Sequence, residues 1–152
     1  GLSTKTHQLV DGHGLPLVTI CTAGQDGDAP LFIPLMEQLQ VGRRTRPVAA
    51  LGDKAYSSRG NRAYLRQRGI EAVIAEPRDQ QGHRKRRGSR GGRPPKLDAD
   101  KYRGRNVIER GYCRLKQWRG LATRYDKLAV VYRAAVVLNG VIAWLKHLTD
   151  TP

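Results

Sequence analysis

The sequence has few cysteines, few acidic residues and no long apolar run, and each shortage excludes a class of protein. Cys21 and Cys113 are the only two thiols in 152 residues, which provides neither a disulfide framework nor a Cys-x-x-Cys metal motif. This usage favours a reducing, cytoplasmic setting. The longest apolar run, Ala134 to Leu145, is interrupted by Asn139 and is shorter than the roughly 20 residues of a membrane-spanning helix. We therefore expect no membrane segment.

The shortage of acidic residues leaves a strongly basic chain. The 28 Lys and Arg residues outnumber the 13 Asp and Glu residues, which gives a net charge of +15. Such a balance is typical of proteins that bind polyanions, above all nucleic acids. Hydrophobic residues make up 39% of the chain, enough for a modest core, so a disordered protein is excluded. The length predicts one domain over residues 1–152.

Alternating strand and helix patterns predict an α/β fold. The runs Thr6–Val10 and Leu15–Cys21 are typical of strands, and the Asp-Gly-His-Gly between them is typical of a hairpin turn. Further along the chain, the patterns predict a helix over 31–39, a strand over 47–51, a helix over 59–68 and a strand over 70–75. We expect Asp28 to cap the first of these helices. The order predicts helices packed on a sheet.

Residues 82–97, the basic segment, interrupt this pattern. The segment carries seven cations and no acidic residue: Arg84, Lys85, Arg86, Arg87, Arg90, Arg93 and Lys96. Its glycines and prolines argue against a regular helix, so we expect a mobile loop that becomes ordered on a phosphate backbone. Beyond it, periodicity predicts one helix from Tyr102 to Arg119 and another, largely buried, from Leu128 to Leu148.

Asp53 is a candidate catalytic carboxylate because of its position. It directly follows an apolar strand-like run, and ligands in α/β sheets are usually met at the carboxyl ends of strands. An ordinary turn with a solvated Asp is the alternative. The four histidines show no metal-ligand spacing, so we expect them at surface or capping positions.

Glu109 is a second candidate because of the residues around it. At about 100° per residue, Tyr102, Arg105, Glu109 and Lys116 fall within roughly 60° on one helix face. A solvated stripe with one Arg–Glu pair worth about 0.2–0.5 kcal/mol is the alternative. Carboxylates from different elements are also what a two-Mg²⁺ site for phosphoryl transfer needs.

The spacing Tyr102-x2-Arg105-x3-Glu109-x6-Lys116 resembles the Tyr-Arg-Glu-Lys signature of bacterial insertion-sequence transposases of the DDE type, whose catalytic domain has the ribonuclease H-like fold. Other stretches resemble the same family in the same order: Gly1–His7, Leu51–Ser57, His83–Arg87 and Leu115–Asp126. The resemblance covers essentially the whole chain.

The resemblance implies that Asp53 is the second and Glu109 the third catalytic carboxylate, both ligands in a two-ion Mg²⁺ (or Mn²⁺) site. It implies that Tyr102, Arg105 and Lys116 contact phosphates at the transposon end. The implied reaction is Mg²⁺-dependent hydrolysis at the 3′ end of the element, followed by attack of the freed 3′-hydroxyl on target DNA. The implied partners are the double-stranded DNA of the transposon ends and target, and a second copy of the protein in a homodimer on DNA.

One family residue has no counterpart here. The family's first catalytic Asp lies on a strand that would precede Gly1, so we expect a partial domain with a ribonuclease H-like mixed sheet, flanked by helices and lacking its first central strand. Two other functions fit the charge: a catalytically inactive transposase fragment that only binds DNA, and a ribosomal-type RNA-binding protein.

Overall fold

The computed structural model describes residues 3–126 and 128–150, which form four strands and seven helices. Strands β1 (Thr4–Val10) and β2 (Pro16–Ala23) pair antiparallel, and strands β3 (Ala49–Gly52) and β4 (Glu71–Ile74) pair parallel. The helices are α1 (Phe32–Glu37), α2 (Arg59–Gln67), α3 (Arg78–Arg86), α4 (Ala99–Arg103), α5 (Asn106–Lys116), α6 (Arg119–Thr123) and α7 (Ala129–Asp150). The predicted mixed α/β class is confirmed.

Local turn chemistry closes the hairpin of β1 and β2. The Asp11 carboxylate accepts hydrogen bonds from the backbone N–H groups of His13 at 2.9 Å and Leu15 at 2.8 Å. Gly14 has a φ of +81°, which favours glycine. A Cβ at this position would also lie 2.9 Å from the carbonyl oxygen of Val107. The small residue therefore both closes the turn and lets α5 pack against it.

Strands β3 and β4 and the helix between them enclose the first apolar core. Ser58 caps α2, since its hydroxyl accepts the backbone N–H of Asn61 at 3.0 Å. The buried members of this core are Phe32, Met36, Ala50, Leu65, Ile70 and Ile74. A second core joins α5, α6 and α7 through Leu115, Leu121, Tyr132 and Val136.

The two strand pairs are separate sheets, an arrangement compatible with the expected mixed sheet that lacks its first central strand. Among the described residues, β1 pairs only with β2, and β3 pairs only with β4. Strands β1 and β3 therefore each have an open edge. A groove of about 490 Å³ lies between these edges and is lined by residues of both, including Leu9 and Ala50. Residues of β1 and β3 thus face each other across the groove without sharing a ladder.

The basic segment is partly helical, which corrects the expectation of a loop from residue 82 onward. Helix α3 follows Pro77 and continues to Arg86, and Glu76 forms an ion pair with Arg84 across its first turns. The helix ends before Gly88, which has a φ of +53°. A short 3-10 turn, Gly88–Gly91, follows, and residues 92–98 are irregular. The glycines thus end the helix and do not prevent it.

The predicted helix from Tyr102 to Arg119 is divided among three helices, α4, α5 and α6, which is a further correction. Asp98 caps α4 by accepting the N–H groups of Asp100 and Lys101, both at 3.1 Å. Gly104 then separates α4 from α5, and a Cβ there would lie 3.0 Å from the carbonyl oxygen of Lys101. Glycine is a poor helix former, and the close approach of the Gly104 and Lys101 backbones leaves no room for a larger residue. Both features favour a break between α4 and α5.

Helix α7 is apolar but mostly exposed, which corrects the expectation that it is largely buried. One face packs on the hairpin: the Trp144 indole donates to the carbonyl oxygen of Pro16 at 2.8 Å, and a Cβ at Gly140 would lie 2.8 Å from the Pro16 ring. The other faces expose Val130, Val131, Val137, Leu138, Val141, Leu145 and Leu148. By length and composition alone the helix could cross a membrane, since its mean hydropathy reaches 1.4, and one such helix is weak evidence for a membrane protein.

Candidate functional site

Asp53 lies where the sequence predicts, immediately after β3. Its backbone is extended, and its carboxylate accepts the backbone N–H of Lys54 at the start of a 3-10 turn, Lys54–Tyr56. The side chain is 49% exposed, so it reaches solvent. The structure therefore presents this carboxylate at the carboxyl end of a parallel strand.

Arg105 connects Asp53 to Glu109. Its Nη1 lies 2.9 Å from Oε1 of Glu109 and 3.7 Å from Oδ2 of Asp53. The arginine precedes the first residue of α5, and Glu109 is one turn further on. Two carboxylates from different elements, far apart in sequence, thus converge on one guanidinium.

The other two residues of the four-residue pattern are placed differently. Tyr102 lies on α4, with its ring centre 5.4 Å from the guanidinium carbon of Arg105, so it joins the group by a cation–π contact. Lys116 is exposed at the end of α5, about two turns beyond Glu109. The structure brings three of the four side chains together and leaves Lys116 apart.

Asp53, Arg105 and Glu109 line a pocket of about 430 Å³ between β1, α1 and α5. Tyr56 also lines it, and burial, with the nearby negative charges of Asp28 and Asp53, raises the pKa of its phenol to about 12. The phenol is therefore protonated at neutral pH. Tyr112 lies on the same wall and donates its hydroxyl to the carbonyl oxygen of Thr6 at 2.7 Å.

Asp28 belongs to this pocket, which corrects its prediction as a helix cap. Its side chain makes no capping hydrogen bond. Instead its Oδ1 lies 3.1 Å from Nζ of Lys5 and 3.8 Å from Nδ1 of His7. Lys5 and His7 are two apart on β1 and so lie on one face of the strand. This spacing of two basic residues on one strand face is the feature of the sequence that could have indicated an acidic partner such as Asp28.

His7 is buried, with 2% of its surface exposed, although we expected a surface histidine. Its Nε2 lies 3.0 Å from the Thr22 hydroxyl on the paired strand. Burial lowers the pKa of the imidazole, while the charge of Asp28 opposes this shift more weakly. The side chain is therefore a neutral, hydrogen-bonded part of the pocket floor.

The donor chemistry of the pocket suits a hard divalent cation only in part. Carboxylate oxygens such as those of Asp53 and Glu109 are the ligands that Mg²⁺ prefers. Within residues 3–126 and 128–150, however, no group of three or more His, Cys, Asp or Glu side chains is placed to hold a metal ion. The described residues thus offer two carboxylates at this pocket, Asp53 and Glu109.

Polar side chains that no sequence pattern selects attach the first turn of α3 to the Asp53 turn. The Gln80 amide of α3 donates to the carbonyl oxygen of Ser57 at 2.7 Å, and the Ser57 hydroxyl donates back to Gln80 Oε1 at 3.1 Å. The Arg62 guanidinium reaches the same hydroxyl at 3.1 Å. Helix α3 is therefore fixed beside the strand end that carries Asp53.

The basic segment leaves most of its cations without acidic partners. Arg84 is the exception, because Glu76 accepts its hydrogen bond and raises its pKa. Among the described residues, no carboxylate pairs with the six others: Lys85, Arg86, Arg87, Arg90, Arg93 and Lys96. These positive charges are available to a polyanion.

Comparison of the sequence with known proteins shows the family to which the chain belongs. Residues 2–145 match the family model described as the transposase DDE domain. A Burkholderia cepacia protein named as the transposase of insertion sequence element IS402 is 30% identical over 142 residues, covering 90% of this chain. The chain spans only 60% of the length of that relative.

A Brucella ovis protein named as the transposase of insertion sequence element IS6501 is 30% identical over 148 residues, covering 95% of this chain and 100% of the relative. No solved structure matches the chain significantly. The family model covers nearly the whole chain, in agreement with the predicted resemblance. The chain therefore belongs to the family of insertion-sequence transposases with a DDE domain.

Proposed function

We propose that this chain is the catalytic part of a transposase that cleaves and joins DNA in the transposition of an insertion sequence. The observation that carries the proposal is the convergence of Asp53 and Glu109 around Arg105 in one pocket. Metal-dependent phosphoryl transfer uses carboxylates from different elements in this way. The relatives named as insertion-sequence transposases support the same chemistry.

Asp53 and Glu109 would hold the Mg²⁺ or Mn²⁺ ions. When bound, two ions neutralise the attacking and leaving oxygens of an in-line displacement. Tyr102, Arg105 and Lys116 would contact phosphates at the transposon end and fix the scissile bond, because phosphate contacts set position without reading sequence. The products are a 3′-hydroxyl on the element and then a strand joined to target DNA.

The basic segment would hold the duplex against the pocket. Its unpaired cations offer the charge that neutralises phosphates, and such binding weakens steeply with salt. The Ser57–Gln80 hydrogen bonds fix α3, the helix that leads into the segment, beside the turn after Asp53. DNA held by the segment would then lie on the side of the protein that carries this turn.

The fold we propose is the ribonuclease H-like mixed sheet with one further strand between β1 and β3. Its support is the groove lined by residues of β1 and β3, because each of these strands has an edge whose backbone groups a further strand could pair with. The DNA directly upstream of the Gly1 codon tests this. We expect an in-frame or slippage-accessible strand-like run ending in Asp, and a stop codon or unrelated sequence would refute the proposal.

The partners we propose are transposon-end and target duplexes, bound by a homodimer in the cytoplasm and not by a membrane protein. Two ends must be brought together, so two copies of the chain on DNA are the smallest assembly that serves both. Cross-linking on end-containing DNA should give dimers, and monomers alone would contradict this.

A plasmid-nicking assay tests the activity. The chain, extended by the upstream strand that carries the proposed first Asp, is incubated with supercoiled plasmid and Mg²⁺. It is compared with its variants Asp53→Asn and Glu109→Gln and with the control Asp100→Asn, which removes an exposed carboxylate paired with Arg103 outside the pocket. We expect nicks with the extended chain and the control, and none with the two site variants. All four proteins should bind DNA with similar affinity. Nicking that is unchanged in the site variants would refute the assignment.

A fragment that only binds DNA is the second candidate. Its support is the absence of a third metal-holding side chain among the described residues. It predicts salt-sensitive DNA binding without nicks at any Mg²⁺ concentration. The family assignment removes the basis for the ribosomal-type RNA-binding alternative, which stronger binding of structured RNA than of duplex DNA would restore.

A further inference from the structure

Arg105 occupies the point at which the two pocket carboxylates converge. Within the described residues it is the only side chain that forms an ion pair with either Asp53 or Glu109. The Arg105 side chain is 27% exposed, whereas the side chains of Asp53 and Glu109 are 49% and 55% exposed. Arg105 is therefore the most buried of the three, and its charge neutralises two carboxylates that would otherwise repel each other.

In this arrangement Arg105 competes with a divalent ion for the two carboxylates. A cation held by Asp53 and Glu109 would lie beside a guanidinium of the same sign, at oxygen atoms that the guanidinium already uses. Both cations cannot keep their best contacts with the same oxygens. Binding of the ion thus requires Arg105 to move or to weaken its ion pairs.

Arg105 also has an alternative anion when DNA is present. Guanidinium groups bind phosphate in the same forked geometry that they use for carboxylates. The Tyr102 ring, 5.4 Å away, can keep contact with the guanidinium while its N–H groups turn toward a phosphate. A phosphate that takes Arg105 leaves the two carboxylates uncompensated and more attractive to a divalent ion.

We propose that Arg105 is an internal counter-ion that couples metal binding to DNA binding. Without DNA it pairs with Asp53 and Glu109 and weakens their affinity for the ion. With DNA it transfers to a phosphate, and the affinity for the ion rises. By linkage, the ion must raise the affinity for DNA by the same factor. This inference rests on the proposed function, since it takes Asp53 and Glu109 as the metal ligands.

Mn²⁺ binding measured by electron paramagnetic resonance tests the coupling, because the method counts free Mn²⁺ directly. The full chain is titrated with and without a short DNA duplex, and the signal of the duplex alone is subtracted. The variants are Arg105→Gln, Arg105→Lys and the control Arg110→Gln, which removes an equal charge from an exposed position of α5. Asp53→Asn identifies the site that is being measured.

We expect DNA to tighten Mn²⁺ binding to the unmodified chain about five- to tenfold. Arg105→Gln should bind Mn²⁺ tighter by a similar factor without DNA and gain less than twofold from DNA. Arg105→Lys should lie between the two, because one ammonium replaces the fork. Arg110→Gln should keep the coupling of the unmodified chain.

Two results would overturn the inference, and they differ in what else they overturn. If Mn²⁺ binds and Asp53→Asn abolishes binding, while Arg105→Gln changes neither affinity nor coupling, the counter-ion role is wrong and the proposed metal site stands. If no Asp53-dependent Mn²⁺ binding is found with or without DNA, the metal site fails and the coupling fails with it. Thermal melts of each variant show whether a change in binding reflects loss of the fold.

Discussion

Asn61 connects the Asp53 turn to the rest of the protein, so its replacement by alanine is expected to destabilise the fold. The side chain is 4% exposed, and its amide donates to the carbonyl oxygens of Ala29 at 3.1 Å and Tyr56 at 2.9 Å. One residue of α2 thus ties together the segment before α1 and the turn after β3.

The size of the effect follows from these two hydrogen bonds. Each carbonyl keeps one backbone hydrogen bond, from the N–H of Phe32 or Ser58, so neither is left without a partner. The loss is then the net value of two bonds, about 1–3 kcal/mol. Because domains are stable by only about 5–15 kcal/mol, this is a substantial share.

Urea unfolding followed by circular dichroism measures the change. With a slope near 2 kcal/mol per molar, Asn61→Ala should lower the midpoint by about 0.5–1.5 M. Gln67→Ala, at an exposed position of the same helix, is the control and should cost less than about 0.5 kcal/mol. A loss for Asn61→Ala no larger than that of the control would refute the reasoning.

Three further predictions concern His7, the core and α7. Because burial lowers the pKa of His7, the unfolded chain binds more protons than the folded chain as the pH falls through about 6.5, so the free energy of unfolding should decrease from pH 7 to pH 5. His7→Gln should make this pH dependence weaker in urea unfolding, and an equal pH dependence in the two proteins would contradict the prediction. Leu65→Ala, at a fully buried site, should cost about 2–5 kcal/mol by the same measurement, and a loss below 1 kcal/mol would contradict the packing. Val141→Lys, at a 48% exposed site, should change the unfolding free energy by less than about 0.5 kcal/mol, and a larger loss would show that the α7 face is covered.

The elements that depend on local chemistry could be predicted from the sequence. The hairpin follows from Asp11 and Gly14, whose turn needs only neighbouring atoms. Asp53 was placed correctly after its strand for the same reason, since an apolar run followed by Gly-Asp is a local signal. The Arg105–Glu109 pair was expected from a spacing of four residues on a helix and is present.

The features that depend on distant contacts could not be predicted. Periodicity alone gave no sign of the break at Gly104, which packs against the side chain of Leu51. Asp28 pairs with Lys5 and His7 on a different element, whereas its position just before a helix indicates only a local helix cap. The exposure of α7 likewise depends on how little of the chain packs around it.

The site combines contacts between residues close in sequence with contacts between residues far apart, so only part of it could be predicted from the sequence. Asp53, Arg105 and Glu109 could be selected one by one, but the contact of the Arg105 guanidinium with Asp53 becomes visible only in three dimensions. The Ser57–Gln80 link had no sequence signal, because serine and glutamine are common at surfaces.

Iron-directed cleavage of the protein tests the central claim that Asp53 and Glu109 form one metal site. Fe²⁺ replaces Mg²⁺ at such sites, and with ascorbate and peroxide it produces radicals that cut the backbone beside the bound ion. We predict cuts near Asp53 and near Glu109, both suppressed by excess Mg²⁺ and both lost in Asp53→Asn. Cuts confined to other parts of the chain, or cuts that persist in Asp53→Asn, would contradict the account.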